Sequence, residues 1–189
     1  MNLTDSNSTY TARSIKVSDH TWLAETLEDF PINNGLTIVQ VQNEITALRN
    51  MEKNDTGIGV VVEHNGTAVS MFCIAIDKED STLGHINIQA THPDHRRQGH
   101  GGITNLLRGA IAFDFMGLSK LEYSVEQGNT AGEGLVRAWN EVSTTAFDTT
   151  RPGVKMPEVT YNSSVFTSSD WTNYLSTNSI SSSRFTVTE

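Results

Sequence analysis

Across one glycine-rich turn the hydrophobic period of the chain changes from two residues to 3.6, and this constrains the fold more than any other feature. Leu83–Thr91 reads as a strand. Ile103, Leu106, Leu107, Ala110 and Ile111 then fall at i, i+3, i+4, i+7 and i+8, which is one face of a helix. Leu121, Tyr123 and Val125 alternate as the next strand. Strand, turn, amphipathic helix and strand make a crossover unit, which chirality makes right-handed.

The remaining elements arrange themselves around that unit. Residues 13–17 suit a short strand, after which Ser18 is placed to cap a helix. Asp19 then falls in its first turn, Val17 staples onto Trp22, and Trp22, Leu23, Leu27 and Phe30 form the buried side before Pro31. Residues 36–41 read as extended, and Asn43 caps a second helix carrying Ile45, Leu48 and Met51. Residues 58–64 and 67–76 are β-rich runs separated by Asn65-Gly66, a hairpin signal. A charged loop over 77–80 leads into Leu83. Further on, Ala131, Leu135, Ala138, Trp139 and Val142 mark a helical face, residues 158–166 a strand and 170–175 a helical turn. The pattern predicts an α+β domain over 11–175, with a mixed, mostly antiparallel twisted sheet flanked by helices. Residues 1–10 read as a polar arm, and 176–189 as a Ser/Thr-rich tail that is disordered or ordered by a partner.

Composition narrows the partners. With 13 Lys+Arg against 22 Asp+Glu, the net charge of −9 lacks the basic stripe of a nucleic-acid binder. No apolar run reaches the ~20 residues of a membrane span, and the polar N-terminus lacks the order of a signal peptide, so a cytoplasmic location is expected. The single cysteine, Cys73, sits in an apolar run and reads as a small core residue. His92, His95 and His100 match no zinc spacing, so no metal site is expected.

The turn itself is His92-Pro93-Asp94-His95-Arg96-Arg97-Gln98-Gly99-His100-Gly101-Gly102. Glycines let the backbone approach a ligand, and a helix start offers unpaired N–H groups and partial positive charge, to which Arg96 and Arg97 add. A phosphate or pyrophosphate fits there; a glycine-rich loop with solvated arginines is the alternative. The P-loop pattern is absent and the dinucleotide fingerprint incomplete.

The run Arg96-Arg97-Gln98-Gly99-His100-Gly101 has the form [Q/R]-x-x-G-x-[G/A]. With the preceding strand, Pro93, the following helix and strand, and Asn129, it resembles the acetyl-CoA-binding motif of the GCN5-related N-acetyltransferases (GNAT). The resemblance spans about 130 residues by element order and about 50 by motif. It implies a GNAT-like sheet with a central strand–helix–strand acetyl-CoA motif, acetyl-CoA as cofactor, and an amine as acceptor. In that reading the backbone N–H groups from Arg97 to Gly102 hold the pyrophosphate. Thr91 supplies the N–H that polarises the thioester carbonyl, at a position where many members carry valine. Asn129 bonds the pantetheine arm or caps the helix after it.

Acetyl transfer to an amine needs a base and a proton for the leaving thiolate. His85 stands where several members keep a catalytic glutamate, with Glu122 and Glu126 on the next strand as alternatives. The tyrosine many members place seven residues after the asparagine is here Val136, which leaves Tyr123 as the substitute acid or a core residue. The expected function is therefore an acetyl-CoA-dependent N-acetyltransferase by direct attack, its acceptor a small cationic amine or a lysine side chain. Two alternatives stand beside it: a module of the same fold with vestigial or no transfer, its tail engaged in a homo-oligomer or another protein contact, and an acyl-CoA sensor without turnover.

Overall fold

The computed structural model describes residues 1–27, 38–126, 128–140, 149–152 and 160–188. Nine strands form one sheet in the order β7-β8-β6-β5-β4-β3-β2-β1-β9. They are β1 (Asn2–Asp5), β2 (Tyr10–Ser14), β3 (Gly57–His64), β4 (Thr67–Ile76), β5 (Leu83–Thr91), β6 (Lys120–Glu126), β7 (Thr149–Pro152), β8 (Thr160–Thr167) and β9 (Phe185–Thr188). Among the described residues only the β5–β6 pair is parallel, as the crossover requires. The β3–β4 hairpin turns through Asn65 (φ 53°) and Gly66 (φ 77°), the two positive values of a type I′ turn, so the Asn-Gly signal acts as read.

Among the described residues five α-helices cover the two faces: α1 (His20–Leu27), α2 (Ile38–Asn50), α3 (His100–Gly109), α4 (Thr130–Asn140) and α5 (Ser168–Thr177). Because successive side chains alternate, β3 sends Val60 and Val62 to one face and Val61 to the other. On the first face Val60, Val62, Phe72, Leu121 and Phe166 pack under Leu107 of α3, Trp139 of α4 and Trp171 of α5. On the second, Val61, Met71, Cys73 and Ile88 pack against Leu23 and Leu27 of α1 and Ile45 and Leu48 of α2. Cys73 is buried and unoxidised, in the core role expected of it. Each such fully buried side chain contributes about 1.5–3 kcal/mol. No helix among the described residues is long and apolar enough to cross a membrane.

Several local expectations change. A 3-10 turn at Val17–Asp19 precedes α1, and the cap is made by Asp19, whose carboxylate accepts the Lys16 N–H at 2.7 Å. Arg13 holds that carboxylate at 2.7 and 2.9 Å, and Val17 is 70% exposed, so there is no staple. Phe30 and Pro31 lie outside the described residues. The second helix begins by Ile38, so Asn43 is interior and residues 38–41 are helical rather than extended. The burial of Ile45 and Leu48 against the sheet sets that helix, and a β-branched pair at its start does not outweigh it. Of the helix read through Val142, the structure shows Thr130–Asn140; Val142 lies outside the described part.

The two ends of the chain meet. Residues 1–10, read as an arm, hold β1 and the start of β2, and the Ser/Thr-rich tail ends in β9, which pairs with β1 from Asn2↔Thr188 to Asp5↔Phe185. The fully buried carboxylate of Asp5 receives Arg184 Nη2 at 2.6 Å. Burial pushes the Asp5 carboxyl up, but hydrogen bonds from Arg184, Ser8 and the Asn7 N–H together hold it below its ordinary value. Stabilisation from such a depressed acid is present above its unfolded value near 3.9 and is lost as pH falls through the folded value. Arg184→Met leaves the buried Asp5 carboxylate with only Ser8 and the Asn7 N–H and no opposite charge. It is expected to lower unfolding free energy at pH 7 by about 2–4 kcal/mol in urea titrations. The deficit shrinks as pH drops below about 4, where wild type loses the same interaction.

Candidate active site

The site starts from a break in the sheet. Along β4 and β5 the register runs through Cys73↔Ile88 and then jumps to Ile74↔Ile86, which leaves Asn87 as the extra residue of a bulge. The parallel ladder between β5 and β6 ends at the same point, with Ile86↔Tyr123. Beyond it β5 runs on to Thr91 against β4 alone, and β6 runs on against β8. The bulge also shifts the alternation: Ile86 joins the α3/α4 face, whereas Ile88 joins the α1/α2 face.

Backbone groups therefore face the fork. The His92 N–H donates to Val69 O at 3.0 Å. Antiparallel alternation from that bond turns the N–H groups of Gln89 and Thr91 away from β4, toward the side where β6 no longer pairs. The Thr91 carbonyl, on the same side, accepts Arg96 Nε at 3.2 Å.

The chain then makes a 3-10 turn at Pro93–His95 and enters α3. Arg97 (φ 62°) and Gly99 (φ 84°) are both left-handed, and Gly99 occupies the N-cap position. A Cβ at Gly99 would meet nothing within 4 Å, so the backbone conformation, not crowding, asks for glycine there. The first N–H groups of α3, at His100, Gly101 and Gly102, point out of the helix start; Gly102 N–H reaches back to Gly99 O at 3.2 Å. Arg96, Arg97, Gln98 and Gly99 are exposed around it, and Gln98 Nε2 donates to Asp94 O at 3.0 Å.

Beneath this turn His100 is buried, its Nδ1 2.7 Å from the Tyr10 hydroxyl. Rings continue on both sides: Tyr10 stacks on His64 at 4.4 Å, His95 lies 5.9 Å from His100, and His92 lies between His95 and Trp22, 5.7 Å from each. Burial, with His64 and His95 near, pushes the His100 imidazole below its ordinary value. Among the described residues no three His, Cys, Asp or Glu side chains are placed to hold a metal ion.

His85 lies on the other face of β5, opposite Glu122 in the parallel register. Its Nε2 is 2.9 Å from Asp77 Oδ2 and its Nδ1 3.1 Å from Glu122 Oε2. The hydrogen bond from His85, aided by the N–H groups of Glu79 and Asp80, holds the Asp77 carboxyl down at about 2. Asp77 is thus an ionised acceptor, so Nε2 carries a proton and Nδ1 faces Glu122.

The sequence profile of the acetyltransferase (GNAT) family matches residues 20–137. The chain belongs to the GNAT acetyltransferase family. Among solved structures it is similar to spermidine N-acetyltransferase from Vibrio cholerae in complex with CoA and spermine, with a TM-score of 0.71 and 12% identity over 87% of this chain and 98% of that one. Ribosomal-protein-S5-alanine acetyltransferase from Vibrio fischeri follows at 0.65 and 12%, covering 87% and 96%. Ribosomal-protein-alanine N-acetyltransferase from Brucella melitensis gives 0.66 and 17%, covering 82% and 98%. At these identities the likeness is one of fold, and it bears out the mixed sheet flanked by helices. No curated protein sequence matches significantly.

Against the family pattern, the structure groups some predicted residues and separates others. Arg96 Nε reaches Thr91 O, so the strand end and the start of the turn lie side by side, and Arg96 to Gly99 are exposed whereas His100 is buried. Asn129 is the cap of α4, its Oδ1 accepting the Gly132 N–H at 3.1 Å. Val136 is buried in the α3/α4 core. Tyr123 points into that core, 4% exposed, edge-on to Trp139, and so lies on the opposite face of β6 from the His85–Glu122 pair. Burial pushes its phenol up to about 12 against the pull of Arg108. The side chain of Glu126 lies outside the described part of the structure. Sequence reasoning missed Asp77, Gln89 and Arg108.

Proposed function

We propose that the chain is an acetyl-CoA-dependent N-acetyltransferase in which an amine attacks the thioester directly. The observation that carries this reading is the fork. Two parallel strands stop pairing at Ile86↔Tyr123, the N–H groups of Gln89 and Thr91 turn away from β4 toward the gap, and the strand leads into the turn at Gly99. A pantetheine arm can add to the free side of β5 as a strand does, and a pyrophosphate suits the helix start beyond it. The residues present fit the group: Gly99 leaves open space, and Arg96 and Arg97 are exposed cations beside it.

Acetyl-CoA supplies an acyl group on a thioester. The chain's own residues do the rest. The N–H groups of Gln89 and Thr91 polarise a carbonyl lying in the fork, Gln89 being the nearer to His85 along the strand. His85, with Glu122 against its Nδ1, is placed to remove the proton of an incoming ammonium, and Asp77 against Nε2 fixes the imidazole, the logic of a base oriented by a third group. Asn129 caps α4 with its oxygen, which leaves its amide NH₂ for the arm. Asp77 and Glu122 set two carboxylates against His85, which favours a cationic acceptor: a small amine, a polyamine or a lysine side chain.

The rival reading, a module of this fold without transfer, keeps Val136 as its support. Its other motive, the tail, is engaged within the same chain as β9. A thermal-shift titration with acetyl-CoA followed by thiol release across an amine panel decides between them. A rise in melting temperature with free thiol appearing for at least one amine is the expected result. No shift at saturating acetyl-CoA would sink the enzyme reading and the sensor reading together.

A further inference from the structure

Arg108 is a cation that the fold hides and does not neutralise. It lies near the end of α3 and is 3% exposed. Its Nη1 donates to Gln89 Oε1 on β5. The centre of the guanidinium lies 4.6 Å from the Tyr123 ring centre on β6 and 5.1 Å from that of Trp139 on α4. Gln89 and Tyr123 belong to the two strands that diverge after Ile86↔Tyr123, so the guanidinium spans the fork. Gln89 is itself held: its Nε2 donates to Asn105 Oδ1 at 3.2 Å, and Asn105 Nδ2 donates to Leu135 O at 3.2 Å. This chain of amides aims the Gln89 oxygen at the cation.

An arginine at a helix end ordinarily keeps its head in water or against a carboxylate. Here, among the described residues, Arg13, Arg137 and Arg184 make ion pairs and Arg108 makes none. Its Nε is buried with no acceptor among the described residues, and the buried Tyr123 hydroxyl has no partner there but this same guanidinium. An ionised group in such surroundings is costly to folding, and it leaves a positive potential at the fork that water does not screen.

We propose that Arg108 stabilises the negative charge that develops on the sulfur of coenzyme A as the acyl group leaves. The inference rests on the acetyl-transfer reading. In the transfer the acceptor nitrogen bonds to the acyl carbon, the carbon–sulfur bond breaks, and its electron pair stays on sulfur. The proton lost by nitrogen goes to the Glu122–His85 pair and then to water; the sulfur leaves as thiolate and is protonated later by solvent. Val136 has no proton to give, and the Tyr123 hydroxyl is buried behind the guanidinium's own contact. A fixed cation at the fork does the work of a general acid without moving a proton.

Coenzyme A as the free thiol is the probe, so no acceptor is needed. Wild type, Arg108→Met and Arg108→Lys, each saturated with coenzyme A, are titrated with pH while ultraviolet absorbance reports the bound thiolate against a desulfo-coenzyme A blank. An opposite charge within ~4–6 Å lowers an acid by about 1–3 units. The bound thiol is therefore expected to ionise about 1–3 pH units below the free thiol in wild type, to lose that depression in Arg108→Met, and to keep much of it in Arg108→Lys. Arg108→Gln serves as the uncharged variant if the methionine chain does not fold. Equal midpoints in wild type and the uncharged variant overturn the proposal. Absence of coenzyme A binding to wild type in a calorimeter overturns the acetyl-transfer reading and this inference with it, and is seen before any titration begins.

Discussion

Gly99→Glu is expected to abolish measurable coenzyme A binding while leaving the chain folded. Two effects act together. The residue has φ 84°, where a side chain costs about 1–2 kcal/mol. That strain falls in an exposed turn and should lower the melting temperature by only a few degrees. The larger effect is charge. A carboxylate at the N-cap of α3 would sit on the N–H groups of His100 to Gly102 and satisfy them itself, because a helix start attracts its own acid as readily as a ligand's phosphate. Repulsion between like charges about 4 Å apart near a protein surface is about 4 kcal/mol, roughly a thousandfold in affinity. Gly99→Ala carries the strain without the charge and separates the two: the strain is present with and without ligand, so affinity is expected to stay within a few-fold of wild type. Isothermal titration with coenzyme A measures all three chains. Affinity in the glutamate variant within a few-fold of wild type would place the cofactor elsewhere.

That turn was legible in the sequence because everything that makes it is local. The period switch at Thr91, the left-handed glycine and the amphipathic stripe from Ile103 to Ile111 all lie within thirty residues, and local rules govern each. The hairpin at Asn65-Gly66 is read for the same reason. What escaped notice depends on partners far apart in the chain. Asp5 and Arg184 close the sheet from its two ends, and neither residue carries a local sign of the other. Arg108 looks, in sequence, like a basic residue complementing a helix dipole. Its burial arises only where α3 crosses Gln89, Tyr123 and Trp139, which belong to three other elements. Asp77 sits in a charged loop whose N–H groups at Glu79 and Asp80 it accepts, the ordinary behaviour of an aspartate in a turn. Only the parallel register that sets His85 beside Glu122 reveals its other oxygen as part of the site. Tyr123 was ambiguous for a related reason: alternation assigns its face, but not whether that face is the site or the core.

The second large effect is expected at the His85 cluster. Glu122→Gln and His85→Ala should each lower kcat/KM by about 10²–10⁴, the usual contribution of a positioned base, with affinity for acetyl-CoA unchanged in the calorimeter. The two losses should not add. Because Nδ1 and Glu122 are in direct contact and act as one unit, removing either partner disables it, and the double variant falls little further than the worse single one. Asp77→Asn tests the third member differently. Asp77 is held ionised down to about pH 2, so in wild type its negative charge is constant over any assay range. The amide removes that charge, and the pair then gives up its proton more readily. The acid limb of the pH–rate profile should move to lower pH while the plateau falls about tenfold through looser positioning. A purely structural Asp77 would lower the plateau and leave the limb in place. An unchanged rate in His85→Ala would remove the imidazole from the mechanism. Glu122 would then be the base on its own, and the Asp77 carboxylate would matter only as charge that draws a cationic amine toward the fork.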